Sequence, residues 1–256
     1  MAVLLHTEDL AVGYGRPAVL SQVALQVNTG ELTAILGANG SGKSTLLRTL
    51  AGLLPPLAGR VLMGSEEVHR LPMQQRGRRL AIVLTGRPQV GLLNVEGLVG
   101  LGRHPWTGRT GRLSPEDASA VQRALEHAGV SELRHRQVQA LSDGEYQKVM
   151  IARALAQDAP VLLLDEPTAF LDLPNRARLT RMLRRIAHGT ARAVVFSTHD
   201  LQLAVDLCDR IVLVRPDRTL WQGPPAEAIA SGELERAFAG TGLLFDRAQG
   251  THRFLP

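Results

Sequence analysis

The sequence predicts an α/β protein with a parallel sheet at its centre, an antiparallel β region near its N-terminus and an inserted α-helical subdomain. Three observations support this. A glycine-rich loop at residues 37–44 stands between an apolar segment typical of a strand, 31–36, and an apolar helical segment, 44–50. An apolar run at 161–164 ends in two acids and is typical of a strand covered on both faces. Between these motifs, over roughly residues 95–155, the patterns are helical.

Composition places the chain among ordinary globular proteins. It has 256 residues, of which 45% are apolar and 21% charged. That length suits one large α/β domain with an inserted subdomain. A single cysteine, Cys208, cannot form an intrachain disulfide. We expect no secretory signal, and no apolar stretch approaches the ~18 residues that a membrane-spanning helix needs. Association with a membrane would therefore require a partner protein.

The net charge of +5 does not indicate a nucleic-acid partner. Basic clusters such as the one at 181–185 lack the interleaved aromatic side chains on which bases stack. They are typical of solvated helix faces. We therefore predict that the protein binds no nucleic acid.

The predicted strands follow from apolar patterns. Apolar residues nearly alternate from Leu20 to Val27, and the Asn-Thr-Gly sequence at 28–30 is typical of a turn. Residues 80–84 form a further strand-like segment, and the apolar run at 193–196 resembles the one at 161–164. The segment at 20–27 is predicted to belong to the antiparallel region, and the later segments to the parallel sheet.

Two helices in the middle of the chain have clear start signals. Ser114 followed by Pro115 and two acids predicts a helix that runs to about His127, with Gly129 just past its end. A second helix is expected from Ser142 through residue 156. After residue 224 the sequence favours short helices on the surface.

The glycine-rich loop matches G-x-x-x-x-G-K-[ST] at every position. Glycines let the backbone wrap around phosphate with its N–H groups pointing inward, and the following helix directs its positive dipole end at the same anion. We expect Lys43 to contact the β- and γ-phosphates of ATP and Ser44 to give its hydroxyl to Mg²⁺. The predicted nucleotide-binding residues of this segment are Gly37, Ala38, Asn39, Gly40, Ser41, Gly42, Lys43, Ser44 and Thr45.

Two acids follow the apolar run at 161–164. In open α/β folds, ligands bind outside the carboxyl ends of the parallel strands, which is where Asp165 and Glu166 would lie. We expect Asp165 to hold Mg²⁺ and Glu166 to polarise the attacking water. Lys43 and Glu166 therefore belong to the predicted catalytic set.

Residues 141–145, Leu-Ser-Asp-Gly-Glu, resemble the LSGGQ signature motif of ABC ATPases and depart from it at Asp143 and Glu145. Taken alone, Ser142 and Glu145 could form a plain capping box. The order of the motifs favours the signature over a plain capping box. The phosphate loop, the signature, the acid pair and a terminal histidine follow one another as in that family. The resemblance covers about residues 3–223.

This resemblance implies a P-loop NTPase fold of the ABC ATPase type, a single domain over 1–256. Residues 1–88 and 158–256 would form the RecA-like nucleotide-binding core, and 89–157 the helical subdomain that carries the signature. In the family, Ser142 and Gly144 would bind the ATP held by the other subunit of a homodimer. His199 would contact the γ-phosphate, and Tyr14 would stack on adenine.

Residues 99–108, Val-Gly-Leu-Gly-Arg-His-Pro-Trp-Thr-Gly, resemble a stretch typical of ATPases for iron-siderophore, haem and cobalamin uptake. That branch implies an importer with two transmembrane permease subunits and, indirectly, a periplasmic or lipoprotein substrate-binding protein. The chain would lie peripherally at the cytoplasmic face of the membrane. The transported substrate is not encoded here, because the other subunits contact it.

Two details of the subdomain are predicted separately. The family carries a Gln after the strand at 80–84, where this chain has Thr85, and Gln89 follows four residues later. Either residue could serve as the Q-loop residue. We also expect a docking groove for a permease helix within residues 89–108 and their surroundings. Its predicted members are Leu92, Leu93, Val95 and Trp106 with Arg87, Arg103 and Arg109.

Other functions share parts of this pattern. A P-loop kinase or GTPase would have the loop at 37–44 but lack the signature, and a GTPase would carry an Asn-Lys-x-Asp motif, which the sequence does not contain. An ABC ATPase of another importer class, a non-transport ABC ATPase and a binding module without turnover also remain alternatives. The departures at Thr85, Asp143 and Glu145 are the support for the last of these.

Overall fold

A computed structural model describes residues 2–87, 91–108, 111–239, 243–246 and 251–254. Its strands are β1 (Val3–Val12), β2 (Leu20–Val23), β3 (Gln26–Asn28), β4 (Leu32–Leu36), β5 (Ala58–Met63), β6 (Glu66–Glu67), β7 (Leu80–Val83), β8 (Val161–Leu164), β9 (Ala193–Ser197), β10 (Arg210–Val214), β11 (Leu220–Gly223), β12 (Leu243–Asp246) and β13 (Thr251–Phe254). Its α-helices are α1 (Lys43–Leu50), α2 (Met73–Gly77), α3 (Val95–Gly100), α4 (Pro115–Ala128), α5 (Asp143–Ala156), α6 (Leu173–Thr190), α7 (Leu201–Leu207), α8 (Pro225–Ala230) and α9 (Glu233–Ala237).

The central sheet has six strands in the order β11-β10-β4-β9-β8-β7. The pairs from β10 to β7 are parallel, and β11 is antiparallel to β10. Because parallel strands end at the same edge, the residues that follow β4, β9 and β8 meet there. This strand order brings together three segments that are far apart in the sequence.

Side chains of the central strands alternate between two hydrophobic cores. Ile35 and Leu163 pack into the core that contains Leu47 of α1 and the antiparallel sheet. Leu36 and Leu164 point to the opposite face and pack against the helices that include α5 and α6. Burial on both faces explains why β8 is an uninterrupted apolar run and why β4 is apolar except at Thr33.

A second sheet confirms the predicted antiparallel region. Strand β1 pairs with β2, β3 and β5, and β6 extends the sheet from β5, every pair being antiparallel. The alternation from Leu20 to Val27 belongs to two short strands, β2 and β3. The sheet covers α1 and so supports the helix that follows the glycine-rich loop.

The helices of the middle region begin and end where local signals predict. Ser114 caps α4 in a capping box with Asp117, and Gly129 ends the helix with φ 62°. Ser142 caps α5 in a second capping box, with Glu145. Both helices lie in sequence between β7 and β8. None of the described helices is both long and apolar enough to cross a membrane.

The end of the chain is only partly as expected. Helices α8 and α9 are the short helices predicted after residue 224. Beyond them, β12 and β13 pair as an antiparallel hairpin, so the expectation of helices throughout this tail is wrong. Phe245, Thr251 and Phe254 have high β propensity, and the pairing of the two segments outweighs any local helical preference.

The prediction that Arg103 lines a docking groove is wrong. This side chain is buried, and its Nε donates to Asp117 Oδ1 at 2.8 Å while its Nη1 donates to the carbonyl of Ala156 at 2.8 Å. Its guanidinium also lies over the Trp106 ring. Arg103 therefore joins α4 to the end of α5 instead of facing a partner, because a long-range carboxylate neutralises it inside the subdomain.

The remaining groove residues differ in exposure. Val95 is fully buried, whereas Leu92 is 86% exposed. Trp106 is partly exposed and donates from Nε1 to the carbonyl of Gln157 at 2.7 Å, which fixes it to the subdomain. Arg109 lies outside the described residues. Among the described members of the predicted set, Leu92 is the most exposed, and Trp106 and the side chain of Arg87 are 38% and 40% exposed.

We expect Arg103→Glu to lower the free energy of unfolding by about 3–5 kcal/mol, because it leaves Asp117 buried beside a second carboxylate. Urea unfolding measures this change. The matched control is Arg60→Glu, since Arg60 pairs with Glu8 at 2.7 Å on the exposed surface and its loss should cost about 1 kcal/mol or less. Equal stability of the two variants would show that the buried pair contributes nothing.

Candidate nucleotide-binding site

The loop at 37–44 connects β4 to α1 and places Lys43 at the first turn of the helix. Lys43 is 5% exposed, and its ammonium donates to the carbonyls of Gly37 at 2.9 Å and Ala38 at 3.0 Å. Burial lowers the pKa of Lys43, while the nearby charges of Glu166 and Asp165 oppose that shift. The loop therefore encloses a buried cation beside two carboxylates.

Two glycines of the loop are required by close approaches. A Cβ at Gly37 would lie 2.8 Å from Ser41 Oγ and 2.9 Å from Val214 Cβ. Gly42 has φ 104°, and a Cβ there would lie 2.5 Å from Val19. Any other residue at either position would push the loop out of place. The glycine pattern therefore shapes a concave backbone surface.

The loop and the acid pair meet at Asp165. Ser44 Oγ and Ser197 Oγ both donate to Asp165 Oδ1, each at 2.8 Å. The backbone N–H of Glu166 donates to Ser197 Oγ at 2.8 Å. Asp165 is 1% exposed, and its second oxygen, Oδ2, is buried without a hydrogen-bond partner among the described residues.

An unpartnered, buried carboxylate oxygen next to a serine hydroxyl fits a hard divalent cation. Mg²⁺ prefers oxygen ligands and is commonly bound by one or two carboxylates together with substrate phosphates. Asp165 Oδ2 and Ser44 Oγ offer such oxygens at the rim of the phosphate loop. The residues present therefore fit the cation that the motif implies.

Ser197 is a site residue that sequence reasoning missed. The sequence analysis predicts His199 as the functional residue after this strand. The structure shows that it supports both acids, because β9 lies between β4 and β8 and Ser197 ends it. The sequence signal for Ser197 is a polar residue at the end of an apolar strand. Its contacts with Asp165 and Glu166 depend on strand order, which that signal does not give.

His199 and Tyr14 are both exposed. His199 follows β9 at the same edge as Asp165, and within the described part of the chain its ring makes no hydrogen bond. Tyr14 is 68% exposed, and its hydroxyl accepts a hydrogen bond at 2.9 Å from Arg48 of α1. Tyr14 therefore lies beside the helix that follows the loop, and both side chains are accessible to a ligand.

A cleft of about 420 Å³ borders the glycine-rich loop. It is lined by residues 38–41 of the loop, by 17–19 after β1 and by Arg215, Pro216 and Arg218 after β10. Backbone N–H groups and two arginines near one concave surface suit a phosphorylated ligand.

The capping residues of the predicted signature segment, at the start of α5, hydrogen-bond to each other and not to the described phosphate loop of their own chain. Ser142 caps α5, accepting from the N–H of Glu145 at 3.3 Å, while Glu145 Oε2 accepts from the N–H of Ser142 at 2.8 Å. No hydrogen bond among the described residues joins Ser142 or Gly144 to the loop. The predicted nucleotide-binding residues are therefore not joined into one hydrogen-bonded set within the described chain.

The two acids of the signature are both paired. Arg136 contacts Glu145 at 2.8 Å, and Arg87 contacts Asp143 at 3.2 Å. Hydrogen bonds from the N–H and the hydroxyl of Ser142 lower the pKa of Glu145, and Arg136 adds to this. The departures from LSGGQ therefore introduce carboxylates whose charges are compensated locally.

Thr85 lines a cavity of about 360 Å³ between the acid pair and α5, together with Arg87, Asp165, Glu166 and other residues. Gln89, the alternative Q-loop residue, lies outside the described residues. Both assignments are therefore still predictions.

A buried lysine under a glycine-rich loop, a serine bonded to a strand-end aspartate and a following glutamate define a P-loop nucleotide-binding protein. The chain belongs to the ABC transporter family, whose model, described as "ABC transporter", matches residues 20–169. Its ATP-binding domain binds and hydrolyses ATP.

Related proteins agree with this assignment. The chain is 35% identical to the probable siderophore transport system ATP-binding protein of Bacillus subtilis, over 92% of this chain and 86% of that protein. It is also 41% identical to the cobalamin import ATP-binding protein of Halobacterium salinarum. That match covers 91% of this chain but only 58% of the Halobacterium protein, which is longer. The structure of cbiO1 from Clostridium perfringens, part of the ABC transporter complex cbiONQ, matches with a TM-score of 0.79 at 28% identity, covering 93% of this chain and 95% of that one.

Proposed function

We propose that the chain is the ATP-hydrolysing subunit of an importer that takes up an iron chelate, haem or cobalamin through separate membrane permease subunits. The hydrogen bond from Ser44 to the buried Asp165 carries the catalytic part of this proposal, because it joins the phosphate loop to the strand-end acids. The siderophore and cobalamin relatives support the importer branch, as does the segment at 99–108.

The proposed roles in the core follow from the contacts. Lys43 leaves the carbonyls of Gly37 and Ala38 and places its charge on the β- and γ-phosphates. Ser44 and Asp165 hold Mg²⁺, which supplies positive charge beside those phosphates when it is bound. Glu166 orients the attacking water and accepts its proton.

Further roles concern the accessible residues. His199 would hold the γ-phosphate from the neighbouring strand end, and Tyr14 would stack on adenine. Ser142 and Gly144 would contact the ATP bound by a second copy of the chain in a head-to-tail homodimer. Neither residue hydrogen-bonds to the described phosphate loop of its own chain, which supports such an arrangement, since each site would need both copies.

The proposed location is the cytoplasmic face of the membrane, where two permease subunits would hold the dimer and receive substrate from a periplasmic or lipoprotein binding protein. Closure on ATP and reopening after hydrolysis would move the permeases. Leu92, exposed at the edge of the subdomain, is a candidate contact with a permease helix.

Transport by the assembled complex tests this function. Proteoliposomes containing the chain with its permeases and binding protein should accumulate a ferric siderophore, haem or cobalamin when ATP is present on the side of this chain. Complexes carrying Glu166→Gln serve as the control and should accumulate none. Export, or import restricted to sugars or amino acids, would reject the importer branch while leaving the ATPase assignment intact.

A further inference from the structure

Arg87 connects the end of the central sheet to the signature segment. It follows β7, and its Nη1 lies 3.2 Å from Asp143 Oδ1. Its Nη2 donates to the carbonyls of Leu141 at 2.9 Å and Val138 at 3.3 Å. The guanidinium also lies over the ring of Tyr146, 4.8 Å from its centroid.

These contacts hold both sides of the N-terminus of α5. Val138 and Leu141 precede the capping residue Ser142, whereas Asp143 and Tyr146 belong to the first turn of the helix. A planar guanidinium can satisfy carbonyls, a carboxylate and an aromatic face at the same time, which an ammonium cannot do. Arg87 therefore fixes the turn that presents Ser142 and Gly144.

The charge of Arg87 matters as much as its geometry. A helix N-terminus attracts anions, but a carboxylate in the first turn repels a phosphate that approaches it. Glu145 is already neutralised by Arg136 and by the capping bonds. For Asp143, Arg87 is the one cation within ion-pair distance among the described residues.

The ion pair is exposed in the single chain. The side chain of Arg87 is 40% exposed and that of Asp143 is 67% exposed, so water screens the pair and it adds little to folding. Screening would weaken once a second copy, with its bound ATP, covers this surface. The effect of Arg87 is thus expected in ATP-driven association and not in stability.

We infer that Arg87 is a positioning residue for the ATP held by a second copy: it fixes the signature turn and cancels the charge of Asp143. This inference rests on the proposed dimeric arrangement. It accounts for an acid between Ser142 and Gly144, the two residues that would face the phosphates, and it links the end of β7 to the signature segment within one chain.

The test compares Arg87→Met, Asp143→Gly and the double variant. Arg87→Met should raise KM for ATP on the order of tenfold, because an uncompensated carboxylate then faces the phosphates. The value of kcat at saturating ATP should stay within about twofold. Adding Asp143→Gly should restore most of the loss. The matched control is Arg134→Met, which breaks an ion pair with Glu96 elsewhere in the subdomain and should leave KM unchanged.

Two results would overturn the inference. One is a KM for Arg87→Met equal to that of the control; the other is a raised KM that Asp143→Gly fails to restore. Hydrogen exchange of the ATP-free single chain tests the positioning without association. Amides at 138–146 should exchange faster in Arg87→Met than in the control, and equal rates would show that Arg87 does not hold the turn.

A parallel measurement separates this inference from the proposed function. With Arg87 and Asp143 intact, the Glu166→Gln chain should associate on addition of MgATP. Adding Arg87→Met to this chain should raise the ATP concentration required for association on the order of tenfold. If the chain with intact Arg87 never associates, the dimeric arrangement itself fails, and this inference fails with it. If it associates and Arg87→Met does so at the same ATP concentration, the inference alone fails.

Discussion

Replacing Lys43 by alanine is expected to weaken ATP binding by at least ~30-fold and to abolish measurable turnover. A buried charged contact is worth about 2–5 kcal/mol, and each 1.4 kcal/mol is a factor of ten in affinity. Lys43 is buried under the loop and already donates to two of its carbonyls, so the substitution removes both a phosphate contact and a support of the loop.

Calorimetric titration with ATP measures this loss, and a phosphate-release assay measures turnover. The chain offers a matched control in Lys148, its second lysine, which lies on α5 beside a groove formed with Arg178 and Arg181. Lys148→Ala should bind and hydrolyse ATP as the unchanged protein does. Unaltered ATP affinity in Lys43→Ala would remove the phosphate-loop interpretation.

Glu166→Gln is expected to lower the rate of ATP hydrolysis by ~10²–10⁴ while ATP still binds. Glutamine keeps the size of the side chain and can hydrogen-bond to water, but it cannot accept the proton. Glu166 has φ 47°, a backbone conformation that is equally strained for Glu and Gln, so the folded state should be affected little.

Single-turnover hydrolysis at saturating ATP measures this effect apart from binding. Glu132→Gln makes the same change at an exposed position and should leave the rate unaltered. Hydrolysis by Glu166→Gln at the unchanged rate would mean that another group activates the water.

Much of the fold is encoded in local signals. The capping boxes at Ser114 and Ser142 and the glycine at 129 set the limits of two helices, because they satisfy backbone groups within a few residues. The apolar runs at 161–164 and 193–196 predict strands covered on both faces, and β8 and β9 are buried along their whole length. The glycine-rich loop predicts its own surroundings, since the motif needs a strand before it and a helix after it.

Contacts that depend on strand order or on packing between distant segments could not be derived in this way. Ser197 supports Asp165 because β9 lies between β4 and β8, which no local pattern specifies. Arg103 resembles a surface cation in the sequence, and its burial depends on Asp117 across the subdomain. The contact between Arg87 and Asp143 likewise joins the segment after β7 to the start of α5, 56 residues further along the chain.

The most direct test of the proposed mechanism is the stoichiometry of chains and ATP in particles of the Glu166→Gln protein in MgATP. Analytical ultracentrifugation combined with nucleotide quantification gives the number of chains and of ATP molecules in each particle. If each ATP lies between the loop of one copy and the Ser142 segment of another, the particle contains two chains and two ATP molecules, and it dissociates when ATP is removed. A single chain fully occupied by ATP, with no association at any ATP concentration, would contradict the account.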